Sequence, residues 1–307
     1  MLVLGVDVGA TKIAAGVVNE RAELLTPAAG PTRAAEGYEV SLGQIFQMID
    51  RFTAWPFKAI GVCAPGPLNP KTGVVLNPPN LPGWRDVPLA RMVAERYGVP
   101  CLLENDANAA ALAESRFGAA RGCASVFYVT LSTGIGSGIV LDGRIYHGKN
   151  GAAAEGGHVT VDYRTGAFCN CGSRGCIETI ASGTAMAARA CALLSEYPET
   201  RLRDPITAET IGRAAAEGDP LATYILDGAA EAIGAWLGSI ISLLDPDMIV
   251  VGGGVSQIGD PLFSRLRRIA PRRTINQFAA GTPIVPARLR PHAGILGAAS
   301  VAQELEP

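Results

Sequence analysis

One pattern occurs twice in this chain of 307 residues, and it narrows the available folds more than any other feature. An apolar run at 2–7 meets the turn Val8-Gly9-Ala10-Thr11-Lys12 and returns as a second apolar run at 13–18. At 126–131 a similar run meets Ser132-Thr133-Gly134-Ile135-Gly136-Ser137-Gly138, returns at 139–141 and turns again at Asp142-Gly143. Short β-branched runs broken by glycine predict hairpins, and two hairpins with related turns predict a duplicated architecture with one in each lobe. The remaining segments alternate. A strand at 60–63 enters Pro65-Gly66-Pro67, and a proline-dense loop fills 77–84. A helix at 91–97 stops at Gly98, a short strand covers 101–103, and an alanine-rich helix at 107–117 closes at Gly118. Beyond 178 the pattern is mostly helical: Asp219-Pro220 opens a helix reaching Leu244, 248–251 is a buried strand, and 295–305 is a last helix. This order predicts an α/β fold. The domain break is expected near 118, with a small lobe at 1–117 to which 293–307 returns and a large lobe at 118–292.

Composition removes several function classes. Hydrophobic residues make up 48% and charged residues 18%, which excludes disorder as the main state. A net charge of −2 with both signs well mixed carries no electrostatic footprint for nucleic acid or anionic lipid. The uncharged stretch 122–141 is rich in Gly, Ser and Thr and alternates in polarity, so it reads as two strands, not a membrane span. The uncharged run 232–244 fits either core or a dimer surface, and the core is the expectation. No basic segment precedes the first strand and Asp7 interrupts it, so a signal peptide is not expected and the chain is expected to be cytoplasmic.

The two turns carry phosphate-binding chemistry. Asp7, Gly9, Ala10, Thr11 and Lys12 offer convergent backbone N–H groups, a hydroxyl, an ammonium and a carboxylate suited to Mg²⁺ or its waters. Thr133 and Gly134 form a second cradle, and Gly253-Gly254 after a buried strand would let an adenine or ribose lie against bare backbone. Neither turn is a Walker A loop or a dinucleotide fingerprint. Asn105-Asp106 fits a helix cap, and it equally fits a base: a carboxylate at a helix N-terminus stays ionised and able to take a proton from a hydroxyl. Both readings hold together.

Seven cysteines do not make a disulfide framework. Cys63, Cys101, Cys123 and Cys191 lie in apolar settings and read as small buried hydrophobes. Cys169, Cys171 and Cys176, with His158 upstream, form a donor set that closes a tetrahedral Zn²⁺ site and leaves no open position, so the metal is expected to be structural. Glu155 and Glu178 flank this clip, and a metal that fixes the ends of a polar loop is a good way to hold two carboxylates against sugar hydroxyls.

Together these residues resemble the ROK family of sugar kinases and repressors, within the actin-like ATPase superfamily. The resemblance rests on Asp7-Val8-Gly9-Ala10-Thr11-Lys12, Glu104-Asn105-Asp106-Ala107-Asn108, Ser132-Thr133-Gly134-Ile135-Gly136, Glu155-Gly156-Gly157-His158 and the run from Cys169 to Glu178. It implies a two-lobed, ribonuclease H-like fold with an interlobe cleft. It implies phosphoryl transfer from Mg-ATP to O6 of glucose, with Asp106 as general base and Asp7 and Thr11 serving Mg-ATP. Gly66, Asn80, Asn105, Asp106, Glu155, His158 and Glu178 would line the sugar, His158 keeping one ring nitrogen for zinc. Ala154 and Gly156 depart from the family's usual glycine and apolar residue. The resemblance leaves open N-acetylmannosamine, N-acetylglucosamine and fructose as acceptors and polyphosphate as donor. The competing class, a sugar-sensing repressor, calls for a basic helix-turn-helix pattern that the sequence does not display. A homodimer or homotetramer is expected.

Overall fold

A computed structural model describes residues 1–305. In chain order the strands and helices are β1 (Val3–Val8), β2 (Lys12–Val18), β3 (Leu24–Pro31), α1 (Tyr38–Asp50), β4 (Ala59–Ala64), β5 (Leu68–Asn69), β6 (Val74–Val75), α2 (Leu89–Tyr97), β7 (Cys101–Asn105) and α3 (Asp106–Phe117). The second half continues with β8 (Ser125–Leu131), β9 (Ile135–Leu141), β10 (Arg144–Ile145), α4 (Glu178–Ala181), α5 (Gly183–Leu193), α6 (Ala208–Ala216), α7 (Pro220–Leu244), β11 (Met248–Gly252), α8 (Asp260–Ile269), β12 (Ile284–Pro286) and α9 (Ala293–Ala302).

The first sheet has the order β3-β2-β1-β4-β7, with β1, β4 and β7 parallel, β2 antiparallel to β1, and β3 antiparallel to β2. The two central parallel strands are nearly continuous apolar runs because both their faces are covered. One face buries Ile45 and Ile49 of α1 and Leu89 and Val93 of α2. On the other lies α9, pressed onto a lane of two register partners, Gly5 and Gly61. A Cβ on Gly5 would sit 2.1 Å from the Ile295 carbonyl oxygen, and one on Gly61 would sit 1.8 Å from that of Ala298. Only glycine permits this approach. Edge strand β3 alternates half-buried and exposed positions and contains Pro27 and Pro31, the usual character of an edge.

The second sheet has the order β10-β9-β8-β11-β12, with β8, β11 and β12 parallel. Asp142 and Gly143 both have positive φ, so the β9–β10 connection is the tight two-residue turn its sequence implies. Asp247 ties β11 to β8 by accepting the Ala124 and Ser125 N–H groups at 2.9 and 2.8 Å, and the Ser125 amide holds its carboxyl below the ordinary range. The stretch 122–141 falls on β8 and β9. Among the described residues, the helix long and apolar enough to cross a membrane is instead α7. It buries Ile225, Leu226, Ala229, Ile233, Trp236 and Leu237 at helical spacing and packs against α5, α6 and α8, as a core helix does. Leu243, in the run expected to be core, is 85% exposed.

Two compact units emerge: residues 1–122, 138–154 and 288–307 in one, and 123–137 and 155–287 in the other. The division near 118 with a return at 293 differs from this in one segment of consequence. The later half of β9, with β10 and the loop after it, groups with the first unit. Glu114 helps explain the return of the C-terminal segment. This fully buried carboxylate accepts the Arg288 and Leu289 N–H groups at 2.8 Å each and the Ala119 N–H at 2.7 Å. Two of these charge-assisted bonds fasten the end of α3 to the chain entering α9, and the third closes the turn after α3.

Candidate active site

In the first unit, register brings the predicted residues to one end of the sheet. Asp7 pairs with Cys63, Cys63 with Glu104, and Ala64 with Asn105 across the parallel strands β1, β4 and β7. Their C-terminal ends therefore form one row, the edge at which open α/β sheets receive ligands. The turn after β1 is pinned from below: Gly9 N–H donates to the Lys12 carbonyl at 2.9 Å and Thr32 Oγ1 donates to the Gly9 carbonyl at 2.6 Å. Ala10, Thr11 and Lys12 are left exposed. Asp7 stands behind them against Gly294, whose missing Cβ would fall 2.1 Å from its carboxylate. Burial raises the Asp7 carboxyl above its usual range, while the Cys63 thiol and the Lys12 ammonium act the other way. A half-buried carboxylate at a phosphate turn suits a divalent cation, which would favour its ionised form.

The next strand end carries Glu104-Asn105-Asp106. Asn105 is the N-cap of α3, its Oδ1 accepting the Ala107 and Asn108 N–H groups at 2.9 and 3.2 Å. Capping is therefore the work of Asn105, and Asp106 occupies the first helical position, exposed, with Oδ1 accepting the Ala107 N–H at 2.8 Å. The helix dipole favours its charged form. Gly66 is half-buried in the loop after β4, and Asn80 is exposed in the turn closed by Leu81 N–H on the Pro78 carbonyl.

Sequence reasoning missed the environment of Glu104. This carboxylate is buried; its Oε1 accepts the Asn105 N–H at 2.9 Å and the Asn108 Nδ2 at 3.0 Å. Its Oε2 lies 2.6 Å from Nε2 of His147, a residue of the loop after β10. A lone acid ending an apolar strand, in a chain with three histidines, was the available signal.

The second unit repeats the arrangement. Val129 pairs with Val251 and Thr130 with Gly252, so Thr133-Gly134 after β8 and Gly253-Gly254 after β11 share one sheet end. Gly253 has φ +83°, and a Cβ there would meet the Leu131 carbonyl oxygen at 2.1 Å, so glycine is required. Glu178, at the start of α4, accepts the Ile135 N–H at 2.8 Å, and a Cβ on Gly134 would strike its carboxylate at 2.4 Å. One of the two acids expected to face the sugar is thus tied to the turn expected to hold phosphate. Glu155 is exposed, at the entrance to the short turn Gly156–His158. Before it, Ala154 has φ +67°, a conformation that costs a non-glycine residue roughly 1–2 kcal/mol. The departure from the family's glycine is therefore borne as backbone strain.

His158, Cys169, Cys171 and Cys176 converge, their ligand atoms all within 4.8 Å of one another. Nδ1 of His158 lies 3.5 Å from the Cys169 sulfur, and the Cys171 and Cys176 sulfurs are 3.6 Å apart. Zinc bonds of about 2.0–2.3 Å in a tetrahedron require such separations, so donor type and spacing both fit. The Ser173 N–H lowers the Cys171 thiol, whereas burial raises that of Cys176, and zinc would hold both as thiolates. Since Nδ1 faces the sulfurs, Nε2 is the nitrogen left for another partner.

Comparison with known proteins follows the same lines. The ROK family model matches residues 3–305. A glucokinase of Thermotoga maritima is 34% identical over 98% of this chain and 97% of its own length. The crystal structure of a ROK hexokinase from Thermus thermophilus matches at 38% identity and a TM-score of 0.84, covering 99% of this chain and 98% of that one. A ROK family glucokinase from Streptomyces griseus, solved with glucose and AMPPNP, matches at 36% identity and a TM-score of 0.86, covering 99% of this chain and 100% of that one.

Proposed function

This chain belongs to the ROK family and has the actin-like ATPase fold of its sugar kinases, and we propose that it is an ATP-dependent hexose kinase that phosphorylates glucose at O6. The observation that carries the reading is Asp106. It is an exposed carboxylate at the first turn of α3, relieved of capping by Asn105 and set in the row of strand ends that also holds Asp7 and the phosphate turn.

Residue roles follow from the chemistry each group offers. Asp106 accepts the proton of the sugar hydroxyl as that oxygen forms its bond to the γ-phosphorus. The bond from that phosphorus to the β–γ bridging oxygen breaks, and ADP leaves with the electron pair. Backbone N–H groups at Ala10–Lys12 and Thr133-Gly134, with the Thr11 hydroxyl and Lys12 ammonium, meet phosphate oxygens, and Gly9 shapes the turn through its bond to the Lys12 carbonyl. Gly253 and Gly254 leave room for the nucleoside. Asp7 and Thr11 would hold Mg²⁺, which when bound neutralises phosphate charge. Gly66, Asn80, Asn105, Glu155, Glu178 and Nε2 of His158 orient the sugar, the two carboxylates accepting from hydroxyls. Zinc on His158, Cys169, Cys171 and Cys176 is read as a structural clip. The working compartment of this reading is the cytoplasm. Its assembly is a homodimer or homotetramer, supported by Leu243, Ile275 and Phe278, which are 85%, 94% and 98% exposed on the second unit.

A panel of hexoses offered with ATP or with polyphosphate tests the assignment. Glucose with ATP is expected to give the highest kcat/KM. A higher value for N-acetylmannosamine, N-acetylglucosamine or fructose, or for polyphosphate, would move the substrate while keeping the enzyme class. No transfer to any sugar, with sugar-dependent DNA binding at low salt, would favour the repressor.

A further inference from the structure

Glu104 and His147 have no part in the roles above, yet they stand directly behind the residue that carries the reaction. We propose that His147, acting through Glu104, is a positioning residue for Asp106 that makes turnover depend on its own protonation. This rests on Asp106 being the general base.

The geometry is a short chain of contacts within the first unit. His147 Nε2 approaches Glu104 Oε2 at 2.6 Å, and the other oxygen of that carboxylate grips both ends of the first turn of α3. One grip is the Asn105 amide before Asp106; the other is the Asn108 side chain two residues after it. The Asn108 side-chain oxygen is buried with no partner among the described residues, so Glu104 is its amide's one anchor there. With Oε1 spent on the α3 turn, Glu104 takes its contact at Oε2 from His147, a bond that is charge-assisted when the imidazole is protonated.

His147 is part-exposed, with 30% of its side-chain surface accessible, so it can exchange protons with solvent. The Glu104 hydrogen bond raises its pKa above the ordinary value; burial opposes this. The other charged groups acting on it are Glu304, near the C-terminus, which raises it, and Lys71, from the β5–β6 loop, which lowers it. Lys71 also holds the segment, its Nζ donating to the Lys149 carbonyl at 2.9 Å. Because the folded pKa is raised, the charged pair is complete below the ordinary histidine value and is lost as pH rises through the raised one. Turnover should fall over that window as the first turn of α3 loosens.

The test compares kcat against pH for the wild type and His147→Gln at saturating glucose and Mg-ATP. Glutamine keeps a donor toward Glu104 and carries no charge at any pH. The wild type should lose roughly tenfold in kcat as His147 deprotonates, as for groups that orient a reacting residue. His147→Gln should lack that inflection, with KM for glucose changed by about twofold at most. A variant profile that superimposes on the wild type overturns the proposal, even if its Tm falls. Should His147→Gln fail to fold, the imidazole NMR titration of wild-type His147 must coincide with the inflection in kcat; separation by more than about one pH unit overturns it. Asp106→Asn separates the two readings. An inactive Asp106→Asn with an unchanged His147→Gln profile ends this inference alone, whereas an active Asp106→Asn ends the base assignment beneath it.

Discussion

Asp106→Asn will lower kcat by about 10²–10⁴-fold while glucose affinity stays within about threefold, the loss expected when a positioned general base is removed. That is about 3–5 kcal/mol of transition-state stabilisation. The substitution is informative because of what it leaves standing. Asparagine has the same shape and still accepts the Ala107 N–H that Asp106 accepts at 2.8 Å. The cap of α3 is Asn105, so the helix keeps its start. Only the capacity to take a proton disappears. Turnover close to wild type would show that the hydroxyl loses its proton elsewhere.

The second large effect is expected at the cysteine cluster. Cys171→Ser should release the metal and raise KM for glucose by about 10–100-fold, the range seen when the support of a binding residue is removed. Cys171 is the right member to change because it is exposed, whereas Cys176 is fully buried and its replacement would also disturb the core. Two links would connect a metal to the sugar. His158 offers Nδ1 to the sulfurs, so a metal held there would set its ring orientation. Cys176 precedes by two residues Glu178, whose carboxylate is anchored on the Ile135 N–H. Metal content and sugar binding measured on the same samples decide the matter: unchanged glucose affinity in metal-free protein contradicts a role for the clip in holding the sugar residues.

Much of this was readable from residues alone because the informative features are local. The hairpin turns, the Asn105-Asp106 helix start and the cysteine spacing are written within a few consecutive positions, where backbone sterics and donor chemistry act directly. What stayed hidden depends on tertiary contact. The edge strand β3 has two prolines, and its residue types do not alternate between polar and apolar as its burial does, so nothing in its sequence announces a partner for β2. The Glu104–His147 pair joins residues 43 positions apart, and no local rule links the end of a strand to a loop that far along. The grouping of 138–154 with the first unit has the same origin: a β-strand can pass between compact units without a break in its sequence pattern. Ala154 is the reverse case, visible as an odd residue in a motif but given meaning only by its positive φ.

The most direct test of the whole account is the identity of the product. ³¹P NMR of a reaction containing this protein, glucose and Mg-ATP should show a phosphomonoester coupled to the two protons of C6, formed mole for mole with ADP. ADP release with no sugar ester, or an ester at another carbon, would contradict it.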